Sequence, residues 1–235
     1  MLSLFMMILK LFLKYLPQNC MFCGKNCDDF DLSPVCSNCF SSIEKWGKSC
    51  SKCGKKMESL GICGDCLKKD GLFDFLFHIY SYEGKAKEII NLYKFKGAWY
   101  FSKIFSFKIM EIIKNLPENF QKAPITYVPA HPYRIFKRNY HPVEYLVKVL
   151  CKLYNKESFL YLKKIKWKKP QTSLSKLERE KNVKGTFKVK KKKLPKNLIL
   201  IDDIYTTGAT FKECAKVLKK AGVESLSAIT LARTP

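Results

Sequence analysis

The sequence predicts an α/β fold preceded by a small cysteine-rich segment. Three observations carry this expectation. Apolar stretches after residue 72 alternate between strand and helix periodicity, and nine of the eleven cysteines fall within residues 20–66. Residues 198–210 run from an apolar strand through two acids into a small-residue turn that opens a helix. A chain of 235 residues with 47% hydrophobic content buries one core of moderate size and leaves room for an appendage.

Residues 1–17 place Leu2, Phe5, Met6, Leu9 and Leu13 near helical spacing. Lys10 and Lys14 interrupt this apolar run, which is too short to span a bilayer and has neither a leading basic stretch nor a small-residue cleavage site. The expectation is an amphipathic helix packed on its own domain, with membrane-surface contact as the competing reading. A cytoplasmic protein without a transmembrane segment follows from it.

Residues 18–70 have too little apolar periodicity for an independent core, and metal is expected to hold them. The pairs Cys20/Cys23, Cys36/Cys39, Cys50/Cys53 and Cys63/Cys66 are all Cys-x2-Cys. A two-residue spacer lets both thiolates of a tight turn reach one ion, and two such turns close the tetrahedral shell of a structural Zn2+. Eight thiolates therefore make two Zn2+ sites in a double zinc ribbon. Sequential pairing and crossed pairing are both open on spacing alone. Cys27 is a spare thiol that can replace a neighbour, and disulfides are the competing use of the set. Gly24 and Gly54 suit the knuckles, where positive φ is needed. Cys151 and Cys214 stand alone at apolar helical positions and fit small buried hydrophobes.

Residues 71–235 supply the α/β domain. Strands are expected at 74–82, 125–129, 158–162, 197–201 and 224–231, and helices at 85–95, 100–114, 141–153 and 209–221, the last ended by Gly222. Residues 163–196 differ in kind: fifteen Lys or Arg stand against Glu178 and Glu180, a net of +13 out of +24 for the chain. Self-repelling sequence of this sort suits a mobile surface loop or hairpin. The charge points to a polyanion partner, nucleic acid first, against the plainer account of a lysine-coated surface. Phe159, Tyr161, Trp167 and Phe187 are interleaved with it and could stack bases or pack on the domain.

The segment LILIDDIYTTGAT, residues 198–210, has a physical logic. A buried strand delivers Asp202 and Asp203 to the carboxyl edge of a parallel sheet, and the small residues after it turn backbone N–H groups and a helix N-terminus toward an anion. Neither G-x-x-x-x-G-K-[ST] nor G-x-G-x-x-G occurs, so an NTPase loop and a dinucleotide fold lack support. The competing reading is a structural turn with a fortuitous acidic pair.

The segment resembles the phosphoribosyl-diphosphate (PRPP) motif of type I phosphoribosyltransferases. By that resemblance Asp202 and Asp203 hold the ribose hydroxyls, and Tyr205, Thr206, Thr207, Gly208, Ala209 and Thr210 cradle the 5-phosphate. The order of cysteine pairs, YVPAHPYRIFKRNY, PQTSLSKLEREKNVKGTFKV, the acidic motif and a terminal LARTP is similar to the ComF family of competence-associated proteins. The resemblance implies a type I phosphoribosyltransferase-like fold that binds PRPP with Mg2+. Residues 128–138 resemble the family's diphosphate-side loop, from which Arg134, Lys137 and Arg138 would face the diphosphate, with Arg138 and the two acids as catalytic candidates. Gln171, Thr172, Leu174, Arg179, Asn182, Gly185 and Phe187 match the family's flexible closing loop. The family commonly continues past Arg138 with Gly-Phe-Asn-Gln, where this chain has Asn139, Tyr140, His141 and Pro142; that departure removes side-chain amides at the last two positions. His131 reads as structural, since this chemistry asks for charge stabilisation more than proton abstraction.

Three functions are compatible with these residues. The first is a PRPP-binding protein of DNA uptake and natural transformation that holds single-stranded DNA. The second is an active phosphoribosyltransferase acting on an amine or base. The third is a zinc-ribbon adaptor for a competence helicase or ATPase.

Overall fold

The computed structural model describes residues 19–27, 35–68, 71–138, 140–166, 182–190 and 193–235. The amphipathic helix expected at 1–17 lies outside them. The chain divides into two compact units, Met1–Glu44 and Lys45–Pro235. Among the described residues no helix is long and apolar enough to cross a membrane.

The larger unit is α/β, built on a four-stranded sheet in the order β1-β6-β5-β2, where β1 is Phe75–Ser81, β2 Ile125–Tyr127, β5 Asn197–Tyr205 and β6 Ser225–Arg233. All three pairings are parallel. β5 and β6 lie in the centre and read as near-continuous apolar runs, as strands covered on both faces must. Leu198 and Leu200 join Phe211, Cys214, Ala215 and Leu218 of helix Ala209–Lys220 in one buried cluster. Ile199 and Ile201 alternate to the opposite face. There the helices Phe101–Lys114 and Pro142–Tyr154 pack on each other and on the sheet.

Local sequence explains these helices. Phe101, Phe105, Ile109 and Ile113 make a buried stripe at helical spacing. Val143, Leu146, Val147 and Leu150 make another, begun by Pro142 in the first turn and stopped where Asn155 turns left-handed at φ 48°.

Two expectations need correction. The strand expected at 158–162 is instead β3, Leu162–Lys164, with only a bridge at Ser158. β3 pairs antiparallel with β4, Phe187–Val189, so Leu162 and Phe187 enter the core and set the register. The described ends of the basic segment thus form a hairpin, while 167–181 and 191–192 lie outside the described residues. The stretch at 128–138, expected as a loop, contains the helix Pro132–Arg138, for which Pro132 supplies a preset φ.

Candidate functional site

The cysteines come together in sequence order. Cys20, Cys23, Cys36 and Cys39 form one group and Cys50, Cys53, Cys63 and Cys66 another, each with its sulfurs within 4.8 Å of one another. Crossed pairing is thereby excluded, and Cys27 belongs to neither group. The Cys23–Cys36 and Cys53–Cys63 sulfur separations are both 3.7 Å, matching the edge of about 3.8 Å that a tetrahedron with a Zn–S bond of about 2.3 Å requires. Both groups fit Zn2+.

The two leading knuckles repeat the same backbone pattern thirty residues apart. Cys20 N donates to Lys25 O and Gly24 N to Cys20 O; Cys50 N donates to Lys55 O and Gly54 N to Cys50 O. Burial opposes the Cys50 thiolate, but amides of Cys63, Cys53 and Lys52 outweigh it and bring Cys50 down to about 6. Burial likewise opposes the Cys20 thiolate, and the amides of Cys36, Phe22 and Cys23 bring it down to about 6. Cys20 and Cys50 are thereby the readily ionised thiols of their groups, while burial pushes Cys39 up to about 12 and Cys66 upward.

At the carboxyl end of β5 the chain turns through Thr206 and Thr207 to Gly208, which sits at φ 75° immediately before the helix Ala209–Lys220. Ala209 N donates to Thr207 Oγ1 at 3.4 Å, and Lys212 N to Gly208 O at 2.8 Å. The first amides of a twelve-residue helix and the turn amides thus share one corner with two acids. Asp202 Oδ1 accepts from Asp203 N at 2.9 Å and Asp203 Oδ1 from Ile204 N at 2.7 Å. Asp203 Oδ2 is 3.0 Å from Lys94 Nζ, both side chains being about 15% exposed (14% and 15%). Burial, then the charge of Asp203, pushes Asp202 up to about 8. Lys94 was invisible among 44 basic residues; only the folded contact marks it.

Tyr205 is buried, and its ring lies beneath the turn: a Cβ on Gly208 would overlap Tyr205 Oη and Cζ. Its side chain packs on Phe211 and His78, with ring centroids 5.7 and 4.8 Å away. The Arg233 guanidinium sits over the same ring at 4.9 Å. Ala209 is buried and Thr210 half-buried in the first turn.

Arg134, Lys137 and Arg138 lie on the helix Pro132–Arg138, but their side chains are outside the described parts. Gln171, Thr172, Leu174, Arg179 and Asn139 lie outside the described residues altogether. Asn182 and Gly185 are described, and Gly185 N donates to Glu213 Oε1 at 2.6 Å, tying the hairpin to the helix that follows the acidic motif. His141 is buried at the N-cap of its helix, and its Nε2 accepts from Ala130 N at 2.8 Å, so the imidazole anchors the segment after β2. His131 Nδ1 accepts from Tyr133 N at 3.2 Å, a local turn contact. Cys214 is buried in the core as expected, whereas Cys151, expected to be buried, is only half-buried.

A family model described as Double zinc ribbon domain matches residues 12–67. Competence protein ComFC of Streptococcus pneumoniae is 31% identical over 208 residues, covering 86% of this chain and 89% of the relative. The chain belongs to the ComF family. Other ComF-related proteins include Competence protein F of Haemophilus influenzae, 28% identical over 207 residues with 85% and 90% of the two chains covered. DNA utilization protein YhgH of Escherichia coli is 23% identical over 205 residues, with the same shares covered. This ComF chain therefore resembles those relatives over most of its length.

Proposed function

We propose that this protein binds PRPP with Mg2+ at residues 202–210 and acts in the handling of DNA during uptake, holding single strands on its basic surface. The turn at Gly208 supports the first half: two acids at the carboxyl end of β5 are followed directly by a left-handed glycine and a helix N-terminus, a sequence of groups suited to a sugar phosphate. The relatives named as competence and DNA utilization proteins support the second half, together with the charge of +24.

In this reading Asp202 and Asp203 take the ribose hydroxyls, and the amides and hydroxyls of Thr206, Thr207 and Thr210 take the 5-phosphate. Arg134, Lys137 and Arg138 face the diphosphate, whose remaining charge the ligand's own Mg2+ offsets. Gln171, Thr172, Leu174, Arg179, Asn182 and Gly185 close over the ligand. Residues 18–70 serve as the zinc-dependent part and 71–235 as the PRPP-binding part.

Calorimetric titration with PRPP in the presence of Mg2+ tests the first half. The wild-type chain binds, and Asp203→Asn weakens binding by about tenfold to a hundredfold, the value of about 1.5–3 kcal/mol for a charged hydrogen bond. No heat of binding in the wild type removes the reading. For the second half, single-strand affinity is expected to fall about a hundredfold between about 50 and 200 mM salt if about five phosphates are neutralised. Affinity indifferent to salt would overturn it.

A further inference from the structure

The second thiolate group is joined to the turn at Gly208 by a short chain of contacts inside the larger unit. Its knuckle is built on the sheet: Leu76 N donates to Ser51 O at 2.7 Å, and Trp46 N to Ile79 O at 3.0 Å. Trp46 Nε1 then donates to Gly54 O at 2.8 Å, binding the indole to the residue after Cys53. Gly54 has φ 67°, and a Cβ there would overlap the His78 ring, so the knuckle backbone lies directly on that imidazole.

Arg233, the last residue of β6, occupies the centre. Its Nη1 donates to Cys53 O at 3.1 Å and to His78 Nε2 at 3.3 Å. Its guanidinium lies 5.1 Å from the Trp46 ring centre and 4.9 Å from that of Tyr205. Because His78 Nε2 accepts, its Nδ1–H donates to Thr230 Oγ1 at 2.7 Å, and Thr230 Oγ1 donates on to Ala232 O at 3.2 Å. Every polar atom of the imidazole is used. The next residue along, Thr234, donates its amide to Tyr205 O at 3.0 Å, at the start of the turn.

Tyr205 is thus held on one side by Arg233 and His78 and presses with the other on Gly208. A knuckle carbonyl holds Arg233, so the order runs from Cys53 to Arg233, to Tyr205, to Gly208. A guanidinium held over two aromatic rings is attracted to both, and burial strengthens that attraction.

We propose that Arg233 is a positioning residue that transmits the folded state of the Cys50, Cys53, Cys63 and Cys66 knuckle to the turn at residues 206–208 through Tyr205, so that the anion corner keeps its shape only while that group is loaded. This deepens the PRPP reading and rests on it for the ligand, but the coupling itself has a readout that needs no ligand. Cys53 O is the contact that links metal to turn: with the knuckle formed, the carbonyl accepts from Arg233; with the knuckle released, Arg233 loses its anchor and Tyr205 the guanidinium that packs on its ring.

The test is amide hydrogen exchange on the full zinc-loaded chain, comparing the amides of residues 206–210 with those of 198–201 in β5. Arg233→Met is expected to speed exchange in 206–210 by about tenfold while 198–201 keep their protection, and Arg233→Lys, which retains the cation over the rings, recovers part of the difference. Chelating the zinc is expected to reproduce the Arg233→Met pattern. Unchanged exchange at 206–210 in Arg233→Met overturns the proposal, as does a chelator effect that is equal in the turn and in β5. If Arg233→Met loses protection throughout, Tyr205→Leu replaces it: selective release of 206–210 supports the coupling, and none refutes it. Titration with PRPP and Mg2+ on the same samples should show about tenfold weaker binding for Arg233→Met. Absence of binding in the wild type would remove the PRPP reading while leaving the exchange result to decide the coupling.

Discussion

Replacing Cys50 with serine is expected to leave the chain with one equivalent of zinc instead of two and to lower the melting temperature of the larger unit by about 6–12 °C. Residues 45–68 bury few apolar side chains besides Trp46 and Cys50, so nothing but the metal can repay the ordering of their backbone. Cys50 is fully buried and its sulfur also accepts from Cys63 N at 3.3 Å, linking the two knuckles before any ion is considered. The consequence extends into the sheet. When this knuckle opens, Trp46 and His78 lose their cover and Arg233 loses Cys53 O, a loss of about 3 kcal/mol from one large aromatic and its hydrogen bonds. For a unit of this size each kcal/mol moves the midpoint by about 2–4 °C. Metal content by atomic emission and unfolding by calorimetry check both parts. Two zinc equivalents retained, or an unshifted midpoint, would show that the group does not hold the unit together.

The cysteine groups were legible because their information is local: a two-residue spacer is itself the geometry of a bidentate turn. The same is true of β5 and the helix after it, where four apolar residues, the Thr-Thr-Gly turn and the stripe of Phe211, Cys214, Ala215 and Leu218 all lie within one stretch. The β3 strand was misplaced because residues 159–164 are apolar or basic at every position, so their alternation fits two registers. Only the partner β4, more than twenty residues later, selects between them. The helix Pro132–Arg138 carried a usable signal in Pro132, masked by reading the segment as a loop.

The contacts around Tyr205 could not be read at all. Tyr205 stood in the sequence as one more residue of the phosphate cradle, whereas its ring supports the turn from below. Its partners are His78, Phe211 and Arg233, and Arg233 in turn reaches Cys53, 180 residues away. No periodicity or spacing connects positions so far apart. Lys94 poses the same problem, since its charge becomes informative only beside Asp203.

Gly208→Ala should be the most damaging single methyl in the α/β domain. Two costs add. At φ 75° an L residue pays about 1–2 kcal/mol for the left-handed backbone, and the new Cβ overlaps the Tyr205 ring. That ring cannot step aside, because Phe211, His78 and the Arg233 guanidinium enclose it, and forcing a methyl into a filled site costs about 1–3 kcal/mol more. The expected total is about 2–5 kcal/mol by denaturant unfolding, together with loss of PRPP binding as the turn amides rotate away from a common centre. The two costs separate in a double-mutant cycle. In a Tyr205→Leu background the overlap is gone, so Gly208→Ala should cost only the backbone share, about 1–2 kcal/mol, and the pair should be non-additive by the difference. Full additivity would mean that Tyr205 does not press on Gly208, and the role of its ring as the floor of the turn would have to be abandoned.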